Sequence, residues 1–237
     1  MDSNHGAELG KFPPPWNLTG RGYIVLARFD LDFLRTRCFL DPGLAGSLNG
    51  RFAWWMYVDY QTADCGPYRE LLFIPGTCAF ASGRFLTISR IFVSSVESVV
   101  NGRKNWGIPK DRCDFSAEYG REGLDRVRLS NGSGEIARLV FKPFGPLLPM
   151  IVPLLPRAWV TLGQHHQGNE FIYTPSVSGW FRFARVIEAG CDPAVFPDFA
   201  RGRVAGCFEV PEFKMTFPIS RVHPLDPKRI SQPDPQA

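Results

Sequence analysis

The stretch Leu124-Asp125-Arg126-Val127-Arg128-Leu129-Ser130-Asn131-Gly132-Ser133-Gly134-Glu135-Ile136-Ala137-Arg138-Leu139-Val140-Phe141 places two runs of alternating character around a turn. Side chains of an extended chain point alternately to two faces, so each run has an apolar side and a polar side. Asn131-Gly132-Ser133-Gly134 supplies residues that accept the positive φ a tight hairpin demands. The stretch therefore reads as a β-hairpin, with strands over 124–130 and 135–141. Similar runs at 22–29, 51–60, 70–74, 84–94, 171–174 and 207–217 make a mainly β, mostly antiparallel protein with few helices. One helix is expected over 95–101, with Val96, Val99 and Val100 on one side and Gly102 as its C-terminal stop. Residues 180–189 fit either a helix or a strand.

The chain has 237 residues, 44% of them hydrophobic and 14% aromatic, enough for one full-sized core. A single domain is expected over 13–224, with flexible tails at 1–12 and 225–237. The 27 basic and 23 acidic side chains differ by +4 and form no basic run, which argues against a nucleic-acid partner. No apolar run reaches the roughly 18 residues of a membrane span, and the polar start has no signal-peptide core, so a cytoplasmic protein without a membrane partner is expected. Residues 143–156 hold five prolines and read as a buried extended loop or cavity lining, or as a subunit contact if exposed.

The six cysteines, Cys38, Cys65, Cys78, Cys113, Cys191 and Cys207, have no close pair and read as reduced, mostly buried thiols. His165, His166 and Glu170 are weak as a metal set, because adjacent histidines in extended chain point in opposite directions. No metal and no cofactor are expected.

Two segments carry the chemical signal. In Asn101-Gly102-Arg103-Lys104-Asn105-Trp106-Gly107-Ile108-Pro109-Lys110, an extended course over 105–110 places Trp106, Ile108 and Lys110 on one side, and Pro109 favours extended backbone before it. Lys110 either lays its stem on Trp106 with its ammonium in water or is a desolvated nucleophile. Imine formation needs a neutral amine, and an ordinary lysine is neutral in only about one molecule in 2,500 at pH 7. Burial against Trp106 and Ile108, or a nearby cation, would raise that fraction. Glu70 shares a face with Tyr68, Leu72 and Ile74 in an apolar run and needs a partner there, structural or functional. Arg21 opens a strand on the face of Tyr23 and Val25.

Gly66-Pro67-Tyr68-Arg69-Glu70, followed by the segment ending in Pro109-Lys110, resembles the acetoacetate decarboxylase family over most of residues 15–220. The resemblance implies a closed, curved antiparallel sheet with a double-barrel-like core around a central pocket, and a homo-oligomer. It implies that Lys110 is the Schiff-base lysine, Glu70 an active-site acid and Arg21 its orienting partner or a holder of the substrate carboxylate. Tyr68, Trp55 and Trp106 would form the substrate-binding wall. Two positions depart from the family pattern: Asp111 replaces a second lysine, and Trp55 stands where a further glutamate is found. The implied function is a cofactor-independent lyase acting on a small-molecule keto acid or ketone, foremost decarboxylation of a β-keto acid. Aldol or dehydration chemistry on the same imine is one alternative, and a non-catalytic binding protein for a hydrophobic ketone or aromatic ligand is another.

Overall fold

A computed structural model describes residues 10–150, 157 and 160–225. The hairpin forms as read: β9 (Leu124–Asn131) and β10 (Gly134–Pro149) pair antiparallel with Asn131 opposite Gly134, and Asn131 Oδ1 accepts the Ser133 N–H at 2.9 Å. These strands belong to a ten-stranded sheet with β1 (Trp16–Arg28), β2 (Phe52–Thr62), β3 (Tyr68–Ile74), β6 (Arg90–Val93), β7 (Lys110–Arg112), β8 (Asp114–Arg121), β13 (Ser176–Cys191) and β14 (Arg203–Phe217). Its order is β7-β6-β3-β2-β1-β14-β13-β10-β9-β8. A five-stranded sheet, β15-β12-β11-β5-β4, is built from β4 (Thr77–Phe80), β5 (Gly83–Leu86), β11 (Leu162–His166), β12 (Asn169–Tyr173) and β15 (Arg221–Pro224). The run 84–94, read as one strand, is two: β5 and β6 lie in different sheets. Residues 180–189 fall within β13 and are strand.

The large sheet curls into a half-barrel, bringing distant strands face to face. Tyr23 of β1 stacks on Phe141 of β10 with ring centroids 4.0 Å apart, and Trp55 packs on Phe199 at 4.5 Å. The space inside the curl is filled by this core, which also takes Leu34 of α1 (Leu31–Arg37) and Leu44 of α2 (Pro42–Ala45). On the other face of β1, β2 and β3 a second core packs Trp16, Tyr60, Leu72, Trp106 and Phe213. The cavity lies within this second core, with Thr77, Leu86 and Leu162 of the smaller sheet in its wall.

Most pairings are antiparallel, but β6 and β7 run parallel. Parallel neighbours require a crossover, and α3 (Val96–Trp106) supplies it. The helix is longer than the expected 95–101. It passes through Gly102 and ends at Gly107, whose φ of 66° is the left-handed cap conformation that glycine adopts without a Cβ penalty. Its buried side carries Ser98, Asn101, Gly102 and Trp106, while Val96 and Val100 are exposed. The helix turns its small and polar face inward because what it covers is a lysine side chain.

Of the span 1–12 expected as a tail, residues 10–12 are among the described ones. Asn101 Nδ2 donates to Gly10 O at 3.0 Å, Phe12 N donates to Asn101 Oδ1 at 2.9 Å, and Asn105 Nδ2 donates to Phe12 O at 2.8 Å, so 10–12 is strapped onto α3. Residues 143–149 are the exposed end of β10, with Phe144, Leu147 and Leu148 facing solvent, and not a buried lining. Residues 151–156 of that run lie outside the described residues. No helix among the described residues is long and apolar enough to cross a membrane.

Candidate active site

Lys110 opens β7, opposite Ile91 in the parallel pair, and its stem runs beneath α3. Gly102 makes room for it: a Cβ at that position would lie 2.7 Å from Lys110 Cδ and 2.9 Å from Cε. The residue is only 3% exposed, which disposes of the reading in which the ammonium reaches water. Its Nζ donates to Ser98 Oγ at 2.9 Å and lies 3.4 Å from Tyr68 Oη and 3.5 Å from Glu70 Oε2. The amine also sits 4.9 Å from the centre of the Tyr68 ring.

Glu70, likewise 3% exposed, accepts a hydrogen bond from Tyr60 Oη at 2.9 Å on its other oxygen. Burial first, and the Glu70 charge second, hold the Tyr60 and Tyr68 phenols well above the ordinary tyrosine range. Both therefore stay protonated and remain hydrogen-bond donors. Burial pushes the Cys65 thiol up to about 11, with Lys110 opposing the rise.

Trp106 and Ile108 also line the cavity, but Trp106 reaches it from the last turn of α3, not from the extended course expected over 105–110. Its indole N–H donates to Pro218 O at 2.7 Å, which fixes the ring.

Arg21 does not join this cluster. In the sheet register Gly22, Val58 and Glu70 lie in one row, and Arg21, Asp59 and Arg69 in the next. Adjacent rows present opposite faces, so Arg21 and Glu70 are separated by the sheet itself. Arg21 pairs instead with Asp125 at 2.9 Å and Glu209 at 3.0 Å and stacks 3.9 Å over Tyr119. Trp55 is corrected by the same alternation. It belongs to the core inside the curl, while Trp54, Met56 and Val58 face the cavity.

Asp111, one residue past the lysine, faces away from the amine and is held by Arg90 and, at 2.6 Å, by Arg103. Arg103 Nε also donates to the Lys110 carbonyl at 2.8 Å. Arg103 thus reaches the backbone of Lys110 and anchors the start of β7.

Ser98 and Tyr60 are site residues absent from the sequence expectations, and only Ser98 has a local cue. Its signal is its position four residues before Gly102 on one helix face, visible only once α3 is known to continue past residue 102.

The cavity has a volume of about 630 Å³. Among the described residues lining it, Lys110 and Glu70 are the charged ones; the rest of the wall is overwhelmingly apolar, with Trp54, Met56, Leu72, Ile74 and Phe213 prominent. His165 lies elsewhere, with Nε2 3.9 Å from Glu170 Oε2, and no group of three or more His, Cys, Asp or Glu residues that could hold a metal is found among the described residues.

No protein-family model and no curated protein sequence matches the chain. Solved structures do match its fold, which is that of the acetoacetate decarboxylase-like enzymes. Acetoacetate decarboxylase from Legionella pneumophila superposes with a TM-score of 0.68 at 14% identity, covering 89% of this chain and 88% of that one. An acetoacetate decarboxylase-like enzyme from Sphingomonas wittichii gives 0.68 at 12% identity, covering 95% and 100%. The enduracididine biosynthesis enzyme MppR, complexed with the condensation product of pyruvate and imidazole 4-carboxaldehyde, gives 0.63 at 16% identity, covering 92% of each chain.

Proposed function

We propose that the protein is an imine-forming lyase acting on a ketone or keto acid, with Lys110 as nucleophile and Glu70 as the proton-transfer group, and that its reaction is decarboxylation of a β-keto acid. The observation that carries this reading is the amine itself. It is buried at the polar end of an otherwise apolar cavity, with a serine hydroxyl, a phenol and a carboxylate within 3.5 Å of it. Those groups suit each step. A neutral Nζ adds to the carbonyl carbon, and the resulting carbinolamine loses its oxygen as water to give an iminium. The hydroxyls of Tyr68 and Ser98 can donate to the departing oxygen, and Glu70 can exchange protons with the nitrogen or the neighbouring carbon.

In a β-keto acid the bond to the carboxylate then breaks and its electron pair enters the iminium, leaving carbon dioxide and an enamine. Protonation at carbon and hydrolysis return the ketone and free Lys110. Tyr68 and Trp106 serve as walls around the reacting carbons. The same iminium supports aldol and dehydration steps, and the condensation product held by MppR is in keeping with such chemistry on this fold.

A second reading, a non-catalytic receptor for a hydrophobic ketone, is favoured by the apolar lining. Oxygen exchange separates the two. Reversible imine formation replaces a ketone's carbonyl oxygen with oxygen from solvent, so incubation in ¹⁸O-water should label the ketone faster than buffer does, and Lys110→Ala should abolish the excess. Labelling at the buffer rate contradicts the lyase reading. Carbon dioxide release from 3-oxo acids, followed in the same samples, tells decarboxylation from the other outcomes.

A further inference from the structure

The cavity is far larger than its polar end requires. Glu70, Leu72 and Ile74 are successive inward residues of β3, and at about 3.3 Å per residue the line from Glu70 to Ile74 runs roughly 13 Å away from the amine. Along it the wall is hydrocarbon and aromatic: Met56 of β2 and Ile91 of β6 flank Leu72, and Trp54 of β2 stands beside Ile74. At about 30 Å³ per water-sized group, a cavity of about 630 Å³ has room for roughly twenty non-hydrogen atoms. A four-carbon keto acid would leave most of it empty and its apolar wall unused.

Charge points the same way. The cation lining the cavity, among the described residues, is Lys110, and Glu70 lies beside it at 3.5 Å. Arg21, the other cation considered for a substrate carboxylate, is on the far face of the sheet. Nothing else in the described wall is built to hold an anion, so affinity has to come from apolar contact.

We infer that the substrate is a carbonyl compound bearing an apolar tail of roughly six to ten carbons, with its carbonyl at Lys110 and its tail along Leu72, Ile74 and Trp54. This inference rests on the imine reading for its chemistry but on the cavity for its specificity. The shared feature is a ketone with a hydrocarbon tail, which could arrive as a 3-oxo acid or as a neutral methyl ketone. Loss of carbon dioxide converts 3-oxodecanoate into 2-nonanone, so the two probes are a substrate and its product.

The test has two arms. In the first, the protein is incubated in separate reactions with acetone, acetoacetate, 2-nonanone or 3-oxodecanoate, each together with sodium borohydride, and the concentration giving half-maximal modification is read by intact mass. In the second, binding of 2-nonanone without borohydride is measured by tryptophan fluorescence on the unmodified protein and on Lys110→Ala, whose folding is checked by circular dichroism. The expected result is half-maximal modification at concentrations at least 100-fold lower for the long compounds than for the short ones. That is a modest demand when one methylene in a fitted pocket is worth tenfold or more. Equal or better modification by acetone and acetoacetate would overturn the tail inference and leave the imine reading standing. Tight binding of 2-nonanone with no modification by any ketone would uphold the tail inference and overturn the imine reading. Neither modification nor binding would overturn both. Should Lys110→Ala fail to fold, binding to the unmodified protein alone decides the second arm.

Discussion

Arg21 and Glu70 are two charged residues for which a functional role could be argued from sequence, and the sheet separates them. Glu70 shares the cavity face with Lys110; Arg21 holds Asp125 and Glu209, both buried, with Arg182 also on Glu209 and the Tyr23 hydroxyl donating to Asp125 at 2.7 Å. Removing one member of a buried ion network leaves the others uncompensated, which costs about 3 to 5 kcal/mol, whereas a group outside the cavity does not touch substrate. Arg21→Ala should therefore lower stability by about 3 kcal/mol in chemical denaturation while its folded fraction still forms the borohydride adduct at Lys110. Loss of adduct at unchanged stability would return Arg21 to the site. Asp111 follows the same logic. Adjacent to the lysine in sequence, it faces the other way and is neutralised by two arginines.

The pairing of α3 with β7 shows what the sequence made legible and what it did not. Trp106, Ile108 and Lys110 do meet at one cavity, as their alternation suggests, but Trp106 reaches it from a helix. The cue that misled is Gly102. An interior glycine costs a helix about 1 kcal/mol relative to alanine and reads as a stop; here it is kept because the Lys110 stem occupies the space of its side chain. Likewise the inner face of α3, with Ser98, Asn101, Gly102 and Trp106, follows from what β7 places beneath it, which local pattern cannot reveal. The hairpin at 124–141 was legible because both its alternation and its turn residues are local. Trp55 was misassigned because telling its face from that of Trp54 requires knowing which core each side of β2 meets. Gly102→Ala should raise intrinsic helix propensity yet cut the rate of borohydride modification at least tenfold, because the added carbon must displace Lys110 from Ser98 and Glu70. A variant that stays folded with an unchanged rate would mean that the lysine does not depend on this contact.

Among the described residues, Phe144 and Leu147 on β10 and Phe183 and Ile187 on β13 are exposed apolar side chains, and Phe144 stacks on Phe183. Self-association through this ribbon is the expected consequence. Sedimentation should give a mass above 26.6 kDa, lowered by Phe144→Asp with Phe183→Asp; a monomeric unmodified chain would contradict it. The interior also carries a pH signature. Burial pushes Cys65 and Cys191 up to about 11 and Cys78, Cys113 and Cys207 up to about 12, from an ordinary 9.0. An unfolded chain releases these protons first, so the thiols' contribution to stability is complete below pH 9 and is lost as pH climbs through 11 and 12. The melting temperature should fall steadily above pH 9, and replacing Cys78 and Cys207 with alanine should flatten that fall; a curve unchanged by the replacements would assign it to other groups. The central claim concerns one nitrogen, and peptide mapping after borohydride reduction with 2-nonanone tests it most directly. A single alkylated lysine, Lys110, is expected, and none in Lys110→Ala; an unmodified Lys110, or label spread over the surface lysines, would contradict imine formation at that nitrogen.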